Sequence, residues 1–225
     1  MVITIDGPAG TGKSTVALAV AQRLGFAFLD TGAMYRAVGL AAIRREANLE
    51  DQRELTFIAK HARIEFDWTR HPPGVLLNGE PVGHMLRGGD ATRAASYVAV
   101  VPAIREMLVQ QQRQIGMERG NVVTEGRDQG TVVFPNAECK IFLTADEEER
   151  ARRRHGDLLA RGEDIPFEEV LANQRLRDQR DSSRTVGALR KADDAIEVST
   201  DGLSPDQVVA RLEAIVRSKH RMNVE

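Results

Sequence analysis

A lysine and two hydroxyls behind a run of glycines are the first residues in this chain that could do chemistry. Gly7 is followed by Pro8, Ala9, Gly10 and Thr11, then by Gly12, Lys13, Ser14 and Thr15, the spacing of a Walker A phosphate loop. Gly7, Gly10 and Gly12 let the backbone curl with its N–H groups inward, making a concave anion site. The unpaired donors at the start of the following helix add partial positive charge. Lys13 supplies a full charge for β- and γ-phosphates, and the Ser14 hydroxyl can hold Mg²⁺. The chemistry this implies is binding of a nucleoside triphosphate.

Further charged residues follow strands. Arg36 comes soon after Asp30-Thr31-Gly32, and Arg127 and Asp128 follow Glu125-Gly126. In open parallel sheets ligands bind at the carboxyl ends of the strands. Arg36 and Arg127 there could hold a second anion, and Glu125 or Asp128 could approach Mg²⁺ through water. Of 31 basic residues 26 are arginine, ten of them between residues 150 and 190. Arginine binds phosphate with a planar fork that lysine lacks. Acids interleave with these arginines, so several are expected to form ion pairs on a solvated helix face. Three or four are expected to touch phosphate from a mobile cover that closes over the nucleotide.

The elements that must position these groups alternate. Val2, Ile3 and Ile5 predict a buried strand. Val16, Val20 and Leu24 predict a helix ending at Gly25. Phe26–Leu29 predicts a second strand, and 33–47 a helix with Met34, Val38, Ala41 and Ala42 inward. Strands are also predicted at 121–125, 140–144 and 195–198, and a last helix from Ser204-Pro205 with Val208, Leu212 and Ile215 inward, followed by a charged tail. Asp146 caps a polar helical region broken near Gly162 and Pro166. The pattern predicts an α/β, three-layer fold around a five-stranded parallel sheet. Arg63–Trp68 alternates, and Val75–Gly79 follows a Pro-Pro-Gly turn. Residues 61–100 therefore read as a small insertion built on a hairpin, with helices at 88–100 and 102–118.

At 225 residues the chain is expected to form a single domain. A net charge of -2 argues against nucleic acid as partner. Its single cysteine, Cys139, excludes an internal disulfide. No apolar run approaches a membrane span, and the chain enters its first strand at once, with no room for a signal peptide. The expected setting is cytoplasmic, with no membrane partner and a monomeric state. A GTP-dependent switch would need an Asn/Thr-Lys-x-Asp sequence, which is absent. The residues alone leave open a kinase acting on CMP, UMP, AMP or a non-nucleotide acceptor.

Longer stretches narrow this. Ile3–Gly10 with Gly12-Lys13, Asp30–Arg36, Glu125–Pro135, Lys140–Leu143 and Arg177–Arg184 resemble the bacterial cytidylate kinases, P-loop nucleoside monophosphate kinases. The likeness spans almost the whole chain. It implies ATP and Mg²⁺, with CMP and dCMP as small-molecule substrates. It implies an acceptor pocket of Thr31, Tyr35 and Arg36, with Arg36 and Arg127 on the acceptor phosphate. Ser96, Arg105 and Asp128 would read the cytosine edge, Arg177 and Asp181 would meet the sugar, and Arg184 would join the phosphates. Lys13, Arg127 and Arg184 would be catalytic. Arg150 and Arg154 would bind the triphosphate from a lid at about 148–166, and residues 61–100 would form the monophosphate-binding subdomain. The family commonly has Ser where Thr31 stands and Asp where Glu125 stands. Thr31 keeps the hydroxyl, while Glu125 bears on any metal role.

Overall fold

The computed structural model describes residues 1–222. It comprises two compact units, one built from residues 1–27 and from residue 120 onward, the other from residues 28–119. The first unit opens with strand β1 (Val2–Asp6), whose Ile3 and Ile5 are fully buried. Helix α1 (Lys13–Leu24) follows the loop and starts and ends on left-handed glycines, Gly12 and Gly25. It buries Val16, Ala17, Val20 and Ala21, with Leu24 only half-buried. Strand β2 (Ala27–Asp30) then carries the chain into the second unit.

Helix α2 (Thr31–Ile43) opens the second unit two residues before the predicted start and stops four before the predicted end. The Asp30 carboxylate causes the early start, accepting the Ala33 N–H at 2.8 Å as an N-cap. Beyond Ile43 the chain turns, with Glu46 at a positive φ of 54°. Helix α3 (Gln52–His61) was not anticipated. Asp51 caps it, and Leu55 and Ile58 anchor it. Strands β3 (Ile64–Asp67), β4 (Gly74–Leu77) and β5 (Glu80–Pro81) form an antiparallel sheet in that order. Its second turn places Asn78 and Gly79 at positive φ, the geometry of a tight hairpin. Helices α4 (Gly89–Val98) and α5 (Pro102–Arg119) complete the unit, with Pro102 at the first helical position as expected. Helix α4 packs on α2 at close range. A Cβ on Gly39 would lie 2.9 Å from that of Ala94, so only glycine permits this approach.

The chain re-enters the first unit through β6 (Val122–Gly126), β7 (Cys139–Thr144), α6 (Glu147–Leu159), α7 (Phe167–Ser183), β8 (Ile196–Ser199) and α8 (Pro205–Met222). The sheet is five-stranded and parallel, as predicted, in the order β2-β6-β1-β7-β8. Such a sheet is buried on both faces; every residue of β6 is buried, and α1 packs on it. Helix α8 directs Val208, Val209, Leu212 and Val216 inward, while Ile215 is only half-buried. The last residues of the expected charged tail, 223–225, lie outside the described residues. The register aligns Asp6 with Gly126. The loops that follow β1 and β6 therefore leave the sheet at one level, carrying Lys13 and Arg127.

Candidate active site

The first unit assembles a phosphate cradle from β1, α1 and β6. Gly10 and Gly12 both take φ near 82°, which a side chain would resist. Lys13 is buried, and its Nζ donates to the Pro8 carbonyl at 2.6 Å and to Thr11 Oγ1 at 3.4 Å. Burial, reinforced by the Arg127 charge, pulls its ammonium from 10.5 down to about 7. A cation held at such cost against its own loop gains when an anion arrives. Ser14 Oγ donates to Glu125 Oε1 at 2.5 Å, across 111 residues of sequence.

Among the described residues there is no group of three or more His, Cys, Asp or Glu that could enclose a metal ion. One hydroxyl and one carboxylate nonetheless fit Mg²⁺, which keeps several waters and takes few protein ligands. Glu125, despite its extra methylene, reaches Ser14 directly.

Below the loop lies a group that sequence reasoning missed. Asp6, the last residue of β1, accepts the N–H groups of Gln129 at 2.9 Å and Gly130 at 2.7 Å. Burial pushes its carboxyl up to about 7, although the two N–H donors oppose the rise. Thr124 Oγ1 adds a bond to Gln129 Oε1 at 2.9 Å. Together these fix the π-helical turn Gln129–Val133, directly behind Arg127 and Asp128. The available signal was a carboxylate ending an otherwise apolar strand.

Asp181 on α7 gathers two of the predicted arginines. Its Oδ2 accepts from Arg127 Nε at 2.8 Å and its Oδ1 from Arg184 Nη2. Burial raises its carboxyl, but Arg127 and Arg184 more than offset this and hold it below the usual range. Arg177 adds to the same field, and Asp128 is buried nearby in sequence. Arg150, expected on phosphate, donates to Ala9 O, Ala145 O and Asp178. Arg154 is half-exposed, with no hydrogen-bond or ion-pair partner among the described residues. The solvated-face expectation holds for Arg152, paired with Glu148, and for Arg175, paired with Glu147.

The second unit assembles the other predicted group. Arg36 Nη2 donates to Asp30 Oδ2 at 2.7 Å, so Asp30 both caps α2 and anchors its arginine. Gly32 leaves room for that pair, since a Cβ there would lie 2.9 Å from Arg36 Nη1. Thr31 is buried at the same helix start. Arg105 is buried with its guanidinium 5.5 Å from the Tyr35 ring centroid, and its Nη1 donates to Ala99 O at 3.3 Å. Ser96 Oγ donates to Thr92 O at 3.3 Å, an ordinary helical back-bond.

A P-loop at the carboxyl end of a parallel sheet, with a buried lysine and a cluster of buried arginines, defines a phosphoryl-transfer enzyme. The comparisons with known proteins specify which kind. A family model described as cytidylate kinase matches residues 3–218, and the chain belongs to that family. Cytidylate kinase of Carboxydothermus hydrogenoformans is 45% identical over 220 residues, covering 98% of this chain and 99% of that one. Its counterpart in Rhodopirellula baltica is 48% identical over 217 residues, covering 96% and 93%. Among solved structures, shikimate kinase of Bacteroides thetaiotaomicron superposes with a TM-score of 0.50 at 14% identity, covering 96% and 98%. That likeness concerns the fold alone. No described helix is long and apolar enough to cross a membrane.

Proposed function

We propose that this chain transfers the γ-phosphoryl group of ATP to the 5′-phosphate of CMP or dCMP, yielding ADP and CDP or dCDP. The observation that carries this is the buried cluster on Asp181. A single carboxylate there holds Arg127 and Arg184 in the same unit as the phosphate loop, inside a cytidylate kinase sequence. Guanidinium forks held in this way suit a phosphate, which they can bind bidentately.

An acceptor phosphate oxygen attacks the γ-phosphorus while the bond to the β–γ bridging oxygen breaks, and ADP leaves with that oxygen. The acceptor phosphate is ionised near neutrality (second pKa about 6), so no strong base is required. Catalysis rests on positioning and on charge stabilisation by Lys13, Arg127 and Arg184. The loop residues Gly7–Thr15 hold the triphosphate. Ser14 and Glu125 would hold Mg²⁺, which would neutralise charge between the β- and γ-phosphates. From the second unit, Thr31, Tyr35 and Arg36 serve the acceptor phosphate, and Ser96 and Arg105, with Asp128, read the cytosine edge. Arg177 and Asp181 serve the sugar. Residues 61–100, which include the antiparallel sheet, act as the monophosphate-binding subdomain. The segment 148–166 acts as a lid carrying Arg154. The enzyme works as a cytoplasmic monomer.

Polar reading of the base gives selectivity, because an unsatisfied buried donor or acceptor costs about 1–3 kcal/mol. A coupled assay over CMP, dCMP, UMP, AMP and GMP tests the proposal. CMP and dCMP should dominate by at least about tenfold in kcat/KM. Equal turnover of AMP or GMP would overturn it.

A further inference from the structure

Arg150 stands in the first turn of α6 and is buried, at 6% exposure. Its Nε donates to Ala145 O at 3.1 Å, and its Nη1 to Ala9 O at 3.0 Å and to Asp178 Oδ2 at 2.5 Å. Ala9 lies within the phosphate loop, between β1 and α1, and Asp178 lies on α7. One side chain thus ties together segments 5, 141 and 28 residues away from it. The contact is equally close from the loop's side. A Cβ on Gly10 would lie 3.0 Å from Arg150 Cβ and 3.1 Å from its carbonyl oxygen.

The Ala9–Gly10 peptide is trans. In a planar trans unit the N–H points opposite to the C=O. Holding the Ala9 carbonyl against Arg150 therefore turns the Gly10 N–H away from Arg150. Bonds from a cation to a carbonyl are stronger than neutral ones, so this orientation is kept before any ligand arrives. Asp178 keeps the guanidinium in place. Its other oxygen, Oδ1, is buried with no hydrogen-bond partner among the described residues, so Arg150 is its one ion-pair contact among them, although its charge also acts on Arg127.

We infer that Arg150, restrained by Asp178, is a positioning residue. It fixes the Ala9 carbonyl and so aims the Gly10 N–H at the phosphates of ATP, without touching the nucleotide itself. This rests on the reading of the loop as the ATP site.

The decisive variant is Asp178→Asn. Were Arg150 a direct phosphate ligand merely parked on Asp178, removing that charge would release it and tighten ATP binding. As a positioning residue it loses its restraint, and ATP binding weakens. ATP affinity by calorimetric titration, with KM for ATP and for CMP, reads the difference. Asp178→Asn and Arg150→Met should each weaken ATP about tenfold, the scale of one charge-assisted hydrogen bond. KM for CMP should stay within about twofold, and the double variant should be no worse than Arg150→Met alone. Asp178 is 20% exposed, so Asp178→Asn stays folded and decides the matter even if Arg150→Met does not fold. Unchanged or tighter ATP binding by Asp178→Asn would overturn the positioning role alone. Failure of the unmodified protein to bind ATP would sink both this role and the function on which it rests.

Discussion

Arg152 and Arg127 each meet a carboxylate at 2.8 Å, yet they belong to different physical worlds. Arg152 and Glu148 lie one turn apart on the outer face of α6, both side chains 59% exposed. Arg127 and Asp181 come from segments 54 residues apart, with side chains 17% and 5% exposed. Water screens the first pair, and such pairs contribute roughly 0.2–1 kcal/mol. The second has lost its hydration and must recover it from partners. Equal distances thus conceal unequal consequences. Arg127 and Arg184 share Asp181, and Glu125 and Asp178 add to the field at Arg127, so the cluster is a network of charges rather than a lone pair.

The comparison breaks most visibly at the phosphates. Lys13→Ala and Arg127→Ala should each lower kcat by about 10²–10³, the scale of a lost transition-state donor in a dry site, while circular dichroism shows the fold intact. Wild-type turnover by Arg127→Ala would remove that residue from the site.

Asp181→Asn comes next, as a loss of stability. It removes the carboxylate nearest to two largely buried guanidinium groups, at a cost of about 3–5 kcal/mol. For a chain of this size the melting temperature should fall by roughly 6–20 °C. A change under about 2 °C would show that burial was the wrong criterion for separating the two classes of arginine.

Which of these features the sequence disclosed follows from the range of the interactions. The strand–loop–helix at the start, the Asp146 cap and Pro102 at the start of α5 were legible because each is decided within a few residues. The early start of α2 was not, because Asp30-Thr31-Gly32 read as the end of the second strand and Asp30 not as a cap. Helix α3 was missed because only Leu55 and Ile58 are buried on it, too sparse a pattern to stand out. Candidate arginines were legible as a group but not as individuals. Nothing in the run Arg150–Arg154 says that Arg150 turns toward Ala9, 141 residues earlier, while Arg152 faces water. Asp6 escaped for the same reason, since its partners lie on a turn 123 and 124 residues later.

Protonation sharpens the comparison further. Lys13 in the folded chain titrates near 7 instead of 10.5, mainly through burial. Between these values the unfolded chain binds more protons than the folded one, so this group's contribution to stability rises with pH across the window. It is lost as pH falls from about 10.5 toward 7. Bound phosphate favours the ammonium and raises its pKa. ATP binding at pH 8.5 should therefore take up as much as about one proton, detectable by calorimetry in buffers of different ionisation enthalpy. Lys13→Arg, whose guanidinium stays charged, should abolish the uptake while retaining measurable binding. Uptake that persists in that variant would assign the proton elsewhere.

The smallest effect belongs to the exposed face. Arg152→Ala removes bonds to Glu148 at 2.8 Å and Glu149 at 3.3 Å, as many partners as Arg127 loses in the buried cluster. A tally of contacts would rank the two substitutions together. Solvation ranks them apart, because water replaces what Arg152 gives up and Glu148 remains hydrated at no cost. Arg152→Ala should leave kcat and both KM values unchanged, and shift the melting temperature by no more than about 4 °C. A loss comparable to that of Asp181→Asn would mean that the outer face of α6 carries a partner or substrate contact, and the division between structural and functional arginines would have to be redrawn there.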